Sequence, residues 1–170
     1  MLELPRFGRA LTAAALLSLP LPAAALERVS LDPVEHTDAE LVVDATGGEQ
    51  VFSPAALEAI GAMRLVTTTP WRSEPTAFEG VLLQDLLTMT GLSSASGIRI
   101  VAENDWAVEM PRAIWESTPI LVATRVNGAP HSRRERGPIQ FIIPMEDYQS
   151  NPEMRESYWV WMAARIEPME

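Results

Sequence analysis

From residue 40 onward, short apolar segments alternate with turn residues along the chain. Apolar and polar positions alternate over residues 97–111, which predicts a β-hairpin with Asn104 and Asp105 near its tip. A second hairpin is predicted where an apolar segment runs into Asn127-Gly128, a pair that favours two-residue turns. The remaining strands are predicted at residues 40–46, 63–68, 119–126, 137–144 and 158–167.

Two segments carry helix signals. Ser53 is a good N-cap, Pro54 suits the first helical position, and Gly61 suits the end of that helix. Leucines at helical spacing over residues 81–91 predict a second helix. Residues 69–80 contain two prolines and are predicted to form a loop. About six or seven short strands with two or three short helices indicate an α+β or mainly β single domain.

The beginning of the chain has the features of an export signal. Arg6 and Arg9 precede a short apolar stretch, and small residues end at Ala25, which predicts a secretory signal peptide over residues 1–25. An uncleaved anchor or an amphipathic helix are the alternatives, although the apolar stretch is short for a membrane span. We expect residues 26–39 to form a loosely attached lead-in and residues 40–170 to form the domain.

Charge and composition exclude several kinds of chemistry. The formal net charge of −10 disfavours binding to nucleic acid or anionic lipid. All 13 basic residues are arginine, so lysine Schiff-base and P-loop chemistry are excluded. No cysteine is present, which removes thiolate metal sites and cysteine nucleophiles. With only His36 and His131 as imidazoles, a histidine zinc site or a Ser-His-Asp triad is disfavoured.

The five tryptophans are numerous for a chain of this size. Trp106 and Trp161 lie in alternating segments and are interpreted as sheet or core residues. Trp71 follows a proline in the predicted loop, where it is suited to form the wall of an aromatic stacking site. Asn104 and Asp105 are either ordinary turn residues or groups that recognise a planar heterocycle with a guanidine-like edge.

A basic cluster interrupts the otherwise acidic sequence at residues 131–137. It is either a solvated loop or a receptor for an anionic or carbonyl-rich ligand or an acidic partner. The residues concerned are His131, Arg133, Arg134 and Arg136.

The order of several segments resembles a known family. "TPW…FEGVLLQDLL…G", "IRIVAENDWAVEMP", "PILVATRVNG", "RGPIQFIIP" and "YWVWMAARIE" are together similar to the sulfite-oxidase-type molybdopterin-binding fold, over roughly residues 40–167. The resemblance implies a single α+β domain with a mixed β-sheet, short helices and a pterin-shaped cleft. Enzymes of that family bind molybdenum through a cysteine whose position falls at Thr67 or Thr68 here. A hydroxyl does not replace a thiolate on that metal, so the resemblance argues against the sulfite oxidase reaction.

Small, exported, cysteine-free versions of this fold are described as pterin-binding proteins. Some are periplasmic pterin-responsive regulators that dock on the sensory region of an inner-membrane cyclic-di-GMP enzyme. The resemblance therefore implies a periplasmic, non-catalytic protein that binds a reduced pterin, with no covalently bound cofactor, no metal and no contact with nucleic acid. The alternatives are a molybdopterin-dependent oxidoreductase with an atypical metal ligand, or a protein that binds a partner's peptide in the cleft.

The expected site places the pterin on Trp71, with its pyrimidine edge facing Asn104 and Asp105. Arg134, helped by Arg72, is expected to hold the carbonyl or the side-chain hydroxyls of the ligand. The full set of expected ligand-binding residues is Thr68, Thr69, Trp71, Arg72, Asn104, Asp105 and Arg134.

Overall fold

The computed structural model describes residues 25–170, so the predicted signal peptide lies outside the described residues except for its last position. This part of the chain forms an α+β fold, as predicted. Its strands are β1 (Ala25–Arg28), β2 (Leu41–Ala45), β3 (Gly48–Phe52), β4 (Ala62–Thr69), β5 (Arg72–Leu82), β6 (Gly97–Ala102), β7 (Ala107–Pro111), β8 (Leu121–Val126), β9 (Ala129–Pro130), β10 (Gln140–Ile142) and β11 (Ala163–Met169). Its helices are α1 (Pro54–Gly61), α2 (Leu83–Met89), α3 (Arg112–Ser117) and α4 (Met145–Ser150), with 3-10 turns η1 (Arg133–Glu135) and η2 (Glu156–Tyr158).

The strands form two sheets. The first sheet has the order β1-β4-β5-β8-β10, with β9 paired to β8, and all of its pairs are antiparallel. The second has the order β3-β2-β11-β6-β7, in which β11 runs parallel to β2 and antiparallel to β6. The two predicted hairpins are confirmed as β6–β7 and β8–β9.

One hydrophobic core joins the two sheets and the helices. Ser53 caps α1 as predicted, since its hydroxyl accepts a hydrogen bond from the Ala56 amide at 3.2 Å. Leu57 of α1 and Leu83, Leu86 and Leu87 of α2 are completely buried. Each such leucine stabilises the fold by about 1.5–3 kcal/mol relative to an exposed side chain. Within residues 25–170, there is no helix with both the length and the apolarity needed to cross a membrane.

The prediction of a loop over residues 69–80 is wrong. Only Pro70 and Trp71 form a turn, and the long strand β5 begins at Arg72. Pro75 is compatible with this strand because neither neighbouring strand pairs with it. On one side, β5 pairs with β8 only from Phe78 onward. On the other side, the β4–β5 register shifts between Thr67 and Thr69, which leaves residues 73–75 without a partner in β4. A proline that cannot donate a ladder hydrogen bond is tolerated where pairing is interrupted.

The prediction of a continuous final strand over residues 158–167 is also wrong in its first half. Strand β11 begins only at Ala163, and Met162 before it has a φ of 48°, which breaks the extended conformation. Backbone bonds hold this irregular segment in place: the Phe141 amide donates to the Val160 carbonyl at 2.9 Å, and the Ala163 amide donates to the Ile139 carbonyl at 2.9 Å. The segment between η2 and β11 therefore connects the end of the first sheet with the second.

The lead-in is attached to the domain more closely than expected. Strand β1 pairs antiparallel with β4. Further along, His36 Nε2 lies 3.1 Å from Glu58 Oε1 of α1. Nη1 of Arg125, in β8, donates a hydrogen bond to the Asp32 carbonyl at 2.8 Å. These contacts fix residues 25–36 against the first sheet and α1.

Candidate ligand-binding site

A cavity of about 360 Å³ has four tryptophans in its walls. Two of them come from turns between paired strands, and two come from the irregular segment before β11. The lining residues are Trp71, Ala102, Asn104, Trp106, Glu156, Ser157, Trp159, Trp161 and Met162. Because these residues come from three distant parts of the chain, the cavity exists only in the folded protein.

The turn between β6 and β7 presents Trp106 at the rim of the cavity. Asn104 Oδ1 accepts a hydrogen bond from the Trp106 amide at 3.3 Å, which is the side-chain-to-backbone bond that stabilises asparagine in turns. Asp105 has a φ of 64°, a conformation that asparagine and aspartate tolerate better than most residues. Trp106 remains 43% exposed, so its indole is accessible to a ligand or a partner.

The other three tryptophans pack against one another. The ring centroids of Trp71 and Trp161 are 4.6 Å apart with an interplanar angle of 86°. Those of Trp71 and Trp159 are 6.3 Å apart at 90°. Both are edge-to-face arrangements, which aromatic rings prefer to face-to-face stacking and which hold the indoles in fixed orientations. Tyr148 of α4 supports Trp159 from another side, with ring centroids 5.8 Å apart.

Arg136 contributes a positive charge to this aromatic cluster. Its Cζ lies 4.9 Å from the centroid of Trp71 and 4.5 Å from that of Trp161, distances typical of cation–π interactions. The residue ends η1 with a φ of 81°. Among residues 25–170, its buried Nε has no hydrogen-bond partner, and neither have the buried indole N–H groups of Trp159 and Trp161. The cluster is therefore rich in hydrogen-bond donors that the described residues do not satisfy.

Thr67 and Thr68, which the resemblance places at the position of a metal-binding cysteine, are not among the residues that line the cavity. Thr67 is buried, and its Oγ1 accepts a hydrogen bond from the Met145 amide at 2.9 Å and donates to the Thr68 carbonyl at 3.2 Å. Thr69 is also buried, at the end of β4. A neutral hydroxyl engaged in two backbone hydrogen bonds is not a ligand for molybdenum, so this donor set does not fit a metal-bound pterin.

The predicted ligand-binding residues are only partly brought together. Trp71 and Asn104 line the same cavity. Arg72 instead forms an ion pair with Glu135 at 3.3 Å. The remaining four expected residues, Thr68, Thr69, Asp105 and Arg134, are not among the lining residues.

The basic cluster at residues 131–137 is split by the fold. His131 is buried beside Gln140, with Nε2 2.8 Å from Oε1, and burial lowers the pKa of its imidazole below 6.5. Arg133 forms a bidentate ion pair with Glu103, in which Nη2 and Nε donate to Oε1 and Oε2 at 2.8 and 3.1 Å. Arg136 joins the tryptophans, and Arg134 is exposed. The cluster is therefore neither a solvated loop throughout nor one receptor surface.

Several residues of the cavity were not identified from the sequence. The alternation of apolar and polar residues predicts that Trp106 and Trp161 are sheet or core residues, whereas both line the cavity. The alternation over residues 158–167 predicts a strand position for Trp159, and Glu156, Ser157 and Met162 carry no distinctive signal. The position of Trp106 directly after the turn residues Asn104 and Asp105 was the one sequence feature that pointed to a loop position rather than a strand.

A second depression of about 580 Å³ lies between the lead-in, α1 and the ion pair of Arg133 with Glu103. It has no tryptophan in its walls and carries charges of both signs. In the described part of the chain, no three histidine, aspartate or glutamate side chains come close enough to hold a metal ion.

Neither protein-family models nor curated proteins give a match to this chain. Residues 25–170 form a single α+β domain with two sheets and four short helices.

Proposed function

We propose that this protein is a non-catalytic binding protein for a pterin, a planar bicyclic heterocycle. The observation that carries the proposal is the presence of four of the five tryptophans in the wall of one cavity. Indole rings offer large flat surfaces at little conformational cost, and planar ligands bind to them by stacking. Tryptophans used only for packing would be distributed through the core, as Trp115 of α3 is.

The size of the cavity favours a small ligand. Small-molecule sites in proteins measure about 300–1,000 Å³, and this cavity of about 360 Å³ is at the lower end of that range. A bicyclic ring fits such a volume better than a dinucleotide does. Stacking together with a few hydrogen bonds supports micromolar affinity, a binding free energy of about −8 kcal/mol.

The choice of a pterin rests on the resemblance to cysteine-free proteins of the sulfite-oxidase type. A molybdopterin-dependent oxidoreductase is the weaker alternative, because the hydroxyl of Thr67 is committed to the Met145 amide and the Thr68 carbonyl. Elemental analysis of protein purified from its native source separates the two functions. Stoichiometric molybdenum would overturn the proposal in favour of an enzyme.

The proposed setting is the periplasm, where the protein relays pterin binding to the sensory region of an inner-membrane cyclic-di-GMP enzyme. The exposed ring of Trp106 at the cavity rim supports such a relay, since one residue is within reach of both a ligand and a partner. Capture of that membrane protein should depend on added pterin. Capture that is indifferent to pterin would instead favour a protein that only binds a partner's peptide.

Tryptophan fluorescence of residues 26–170 provides the direct test of pterin binding. In a Trp115→Phe protein, all remaining indoles line the cavity, so a stacked pterin should quench most of the emission in a saturable manner. Trp106→Ala should weaken binding about tenfold at little cost in stability, because this ring is 43% exposed. A titration without saturation in the Trp115→Phe protein would refute the proposed function.

A further inference from the structure

Among the described residues that line the cavity, Glu156 supplies the one carboxylate. It is the first residue of η2, and its backbone carbonyl accepts the Trp159 amide at 3.1 Å, which fixes its position relative to that tryptophan. Its side chain is exposed. Within residues 25–170 it forms no ion pair or side-chain hydrogen bond, unlike Glu103 and Glu135 nearby, whose carboxylates are paired with Arg133 and Arg72. The carboxylate of Glu156 is therefore available to a ligand.

Asn104 offers the complementary group. Its Oδ1 is occupied by the Trp106 amide, so its side-chain NH₂ is the part that remains free to bind a ligand, and it binds as a donor. The cavity thus presents an acceptor at Glu156 and a donor at Asn104 between aromatic walls. A ligand that satisfies both has an edge with two adjacent N–H donors and a separate carbonyl or ring-nitrogen acceptor.

We propose that Glu156 determines ligand specificity by accepting two parallel hydrogen bonds from a 2-amino-4-oxopyrimidine edge, through the ring N–H and the 2-amino group. This assignment rests on the proposed function and replaces Asp105, which does not line the cavity, as the carboxylate that faces the ligand. Bidentate hydrogen bonds to an ionised carboxylate are stronger and more directional than neutral ones. The same edge occurs in pterins and in guanine, so a test must include a ligand of each kind.

Calorimetric titration with three probes tests the assignment: pterin, lumazine, in which an oxo group replaces the 2-amino group, and guanosine. The wild-type protein should bind pterin at least about tenfold more tightly than lumazine. Glu156→Gln is isosteric but cannot accept from both donors, so it should weaken pterin binding about tenfold or more and remove the preference over lumazine. Glu153→Gln removes the same charge from an exposed position outside the cavity and should leave both affinities unchanged.

The outcomes separate this assignment from the function on which it rests. If pterin and lumazine bind the wild-type protein equally, or if Glu156→Gln keeps the preference, the role of Glu156 is overturned while pterin binding stands. If neither pteridine binds, the proposed function fails and the assignment fails with it. If guanosine binds more tightly than pterin and loses affinity in Glu156→Gln, Glu156 recognises the edge as proposed, but the ligand is a guanine derivative.

Discussion

The guanidinium carbon of Arg136 lies 4.5 Å from the ring centroid of Trp161, in a protein whose net charge is −10. Among the described residues, no carboxylate forms an ion pair with Arg136, so the aromatic faces provide its electrostatic partner. The arginine therefore holds together tryptophans that come from the β4–β5 turn and from the segment before β11.

Arg136→Met should lower the free energy of unfolding by about 1 kcal/mol, because it removes the cation–π contacts and keeps the length of an apolar side chain. Thermal unfolding measures the change, and about 1 kcal/mol corresponds to a shift of about 2–4 °C for a protein of this size. Arg134→Met is the matched control two residues away, and its exposed side chain should contribute less than about 0.5 kcal/mol. Equal effects of the two substitutions would contradict a specific role for Arg136.

The hydroxyl of Thr67 should prove structural. Thr67→Val preserves the shape of the side chain but leaves the Met145 amide without its acceptor, and we expect a loss of about 1–2 kcal/mol in urea denaturation. Thr67→Ser keeps the oxygen and should retain most of the stability. If the serine variant is as unstable as the valine variant, the methyl group and not the hydrogen bond is what matters at this position.

Acid should weaken the attachment of the lead-in and α1 to β8. Glu58 and Arg125 form an ion pair at 2.6 Å, with side chains 9% and 4% exposed. Burial raises the pKa of Glu58, but the hydrogen bonds from Arg125 and Thr124 and the charge of His36 more than compensate, so the pKa lies below 4.5 in the folded protein. Because the folded pKa is the lower one, the stabilisation is complete above about pH 4.5 and is lost as the pH falls through the folded pKa.

Glu58→Gln should therefore lower the free energy of unfolding by about 3 kcal/mol at pH 7, since it leaves the buried Arg125 charge unpaired. It should also make the decrease in stability below pH 4.5 less steep. Urea denaturation from pH 7 to pH 3 measures both effects. The buried imidazole of His131 also destabilises the fold as the pH falls below 6.5, but equally in both proteins. Glu116→Gln, in an exposed pair with Arg112, should change stability by less than about 0.5 kcal/mol. If the stability of Glu58→Gln falls below pH 4.5 as steeply as that of the wild-type protein, the Glu58–Arg125 pair is not the cause of the acid sensitivity.

Gly80 should tolerate no side chain. A Cβ at this position would meet the Val122 carbonyl oxygen, and Ala123 Cα would be 2.8 Å away, at the point where the register between β5 and β8 shifts. Both obstacles are backbone atoms, so Gly80→Ala should destabilise the protein by about 3 kcal/mol or prevent its folding. Gly47→Ala, with no atom within 4 Å of the added Cβ, serves as the control. Equal yields and melting temperatures for the two variants would contradict the close approach of β5 and β8.

Much of the architecture followed from local signals. The hairpin at Asn127-Gly128 formed where predicted because Asn127 and Gly128 adopt φ values of 51° and 80°, which few other residue pairs accept. The cap at Ser53 and the leucines of α2 also matched their positions in the fold. The sequence does not predict β5, because its prolines are loop signals, whereas Pro75 lies in a part of the strand without a partner in β8. Whether this part of the strand has a partner depends on pairing between distant segments, which the local sequence around Pro75 does not indicate.

The site was predictable only in part, for a related reason. Trp71 was identified because a tryptophan after a proline has no role in a periodic element, and it does line the cavity. The alternation over residues 158–167 predicts a strand position for Trp161, yet the backbone hydrogen bonds of Phe141 to Val160 and of Ala163 to Ile139 impose an irregular path. Arg136 and Glu156 could not be chosen among the charged residues of the sequence, since their proximity to the tryptophans arises only from tertiary structure.

The position of β11 between β2 and β6 has a consequence for how the protein is made. Within residues 25–170, the hairpins β2–β3 and β6–β7 are joined by strand pairing only through β11, Ala163–Met169. During vectorial synthesis the second sheet cannot close until the ribosome has added these residues, and two of the cavity tryptophans are made only shortly before them. Nascent chains thus lack the complete aromatic cavity until β11 has been synthesised, so a ligand cannot act as a template for the earlier steps of folding and stabilises only the molecule in which β11 is in place.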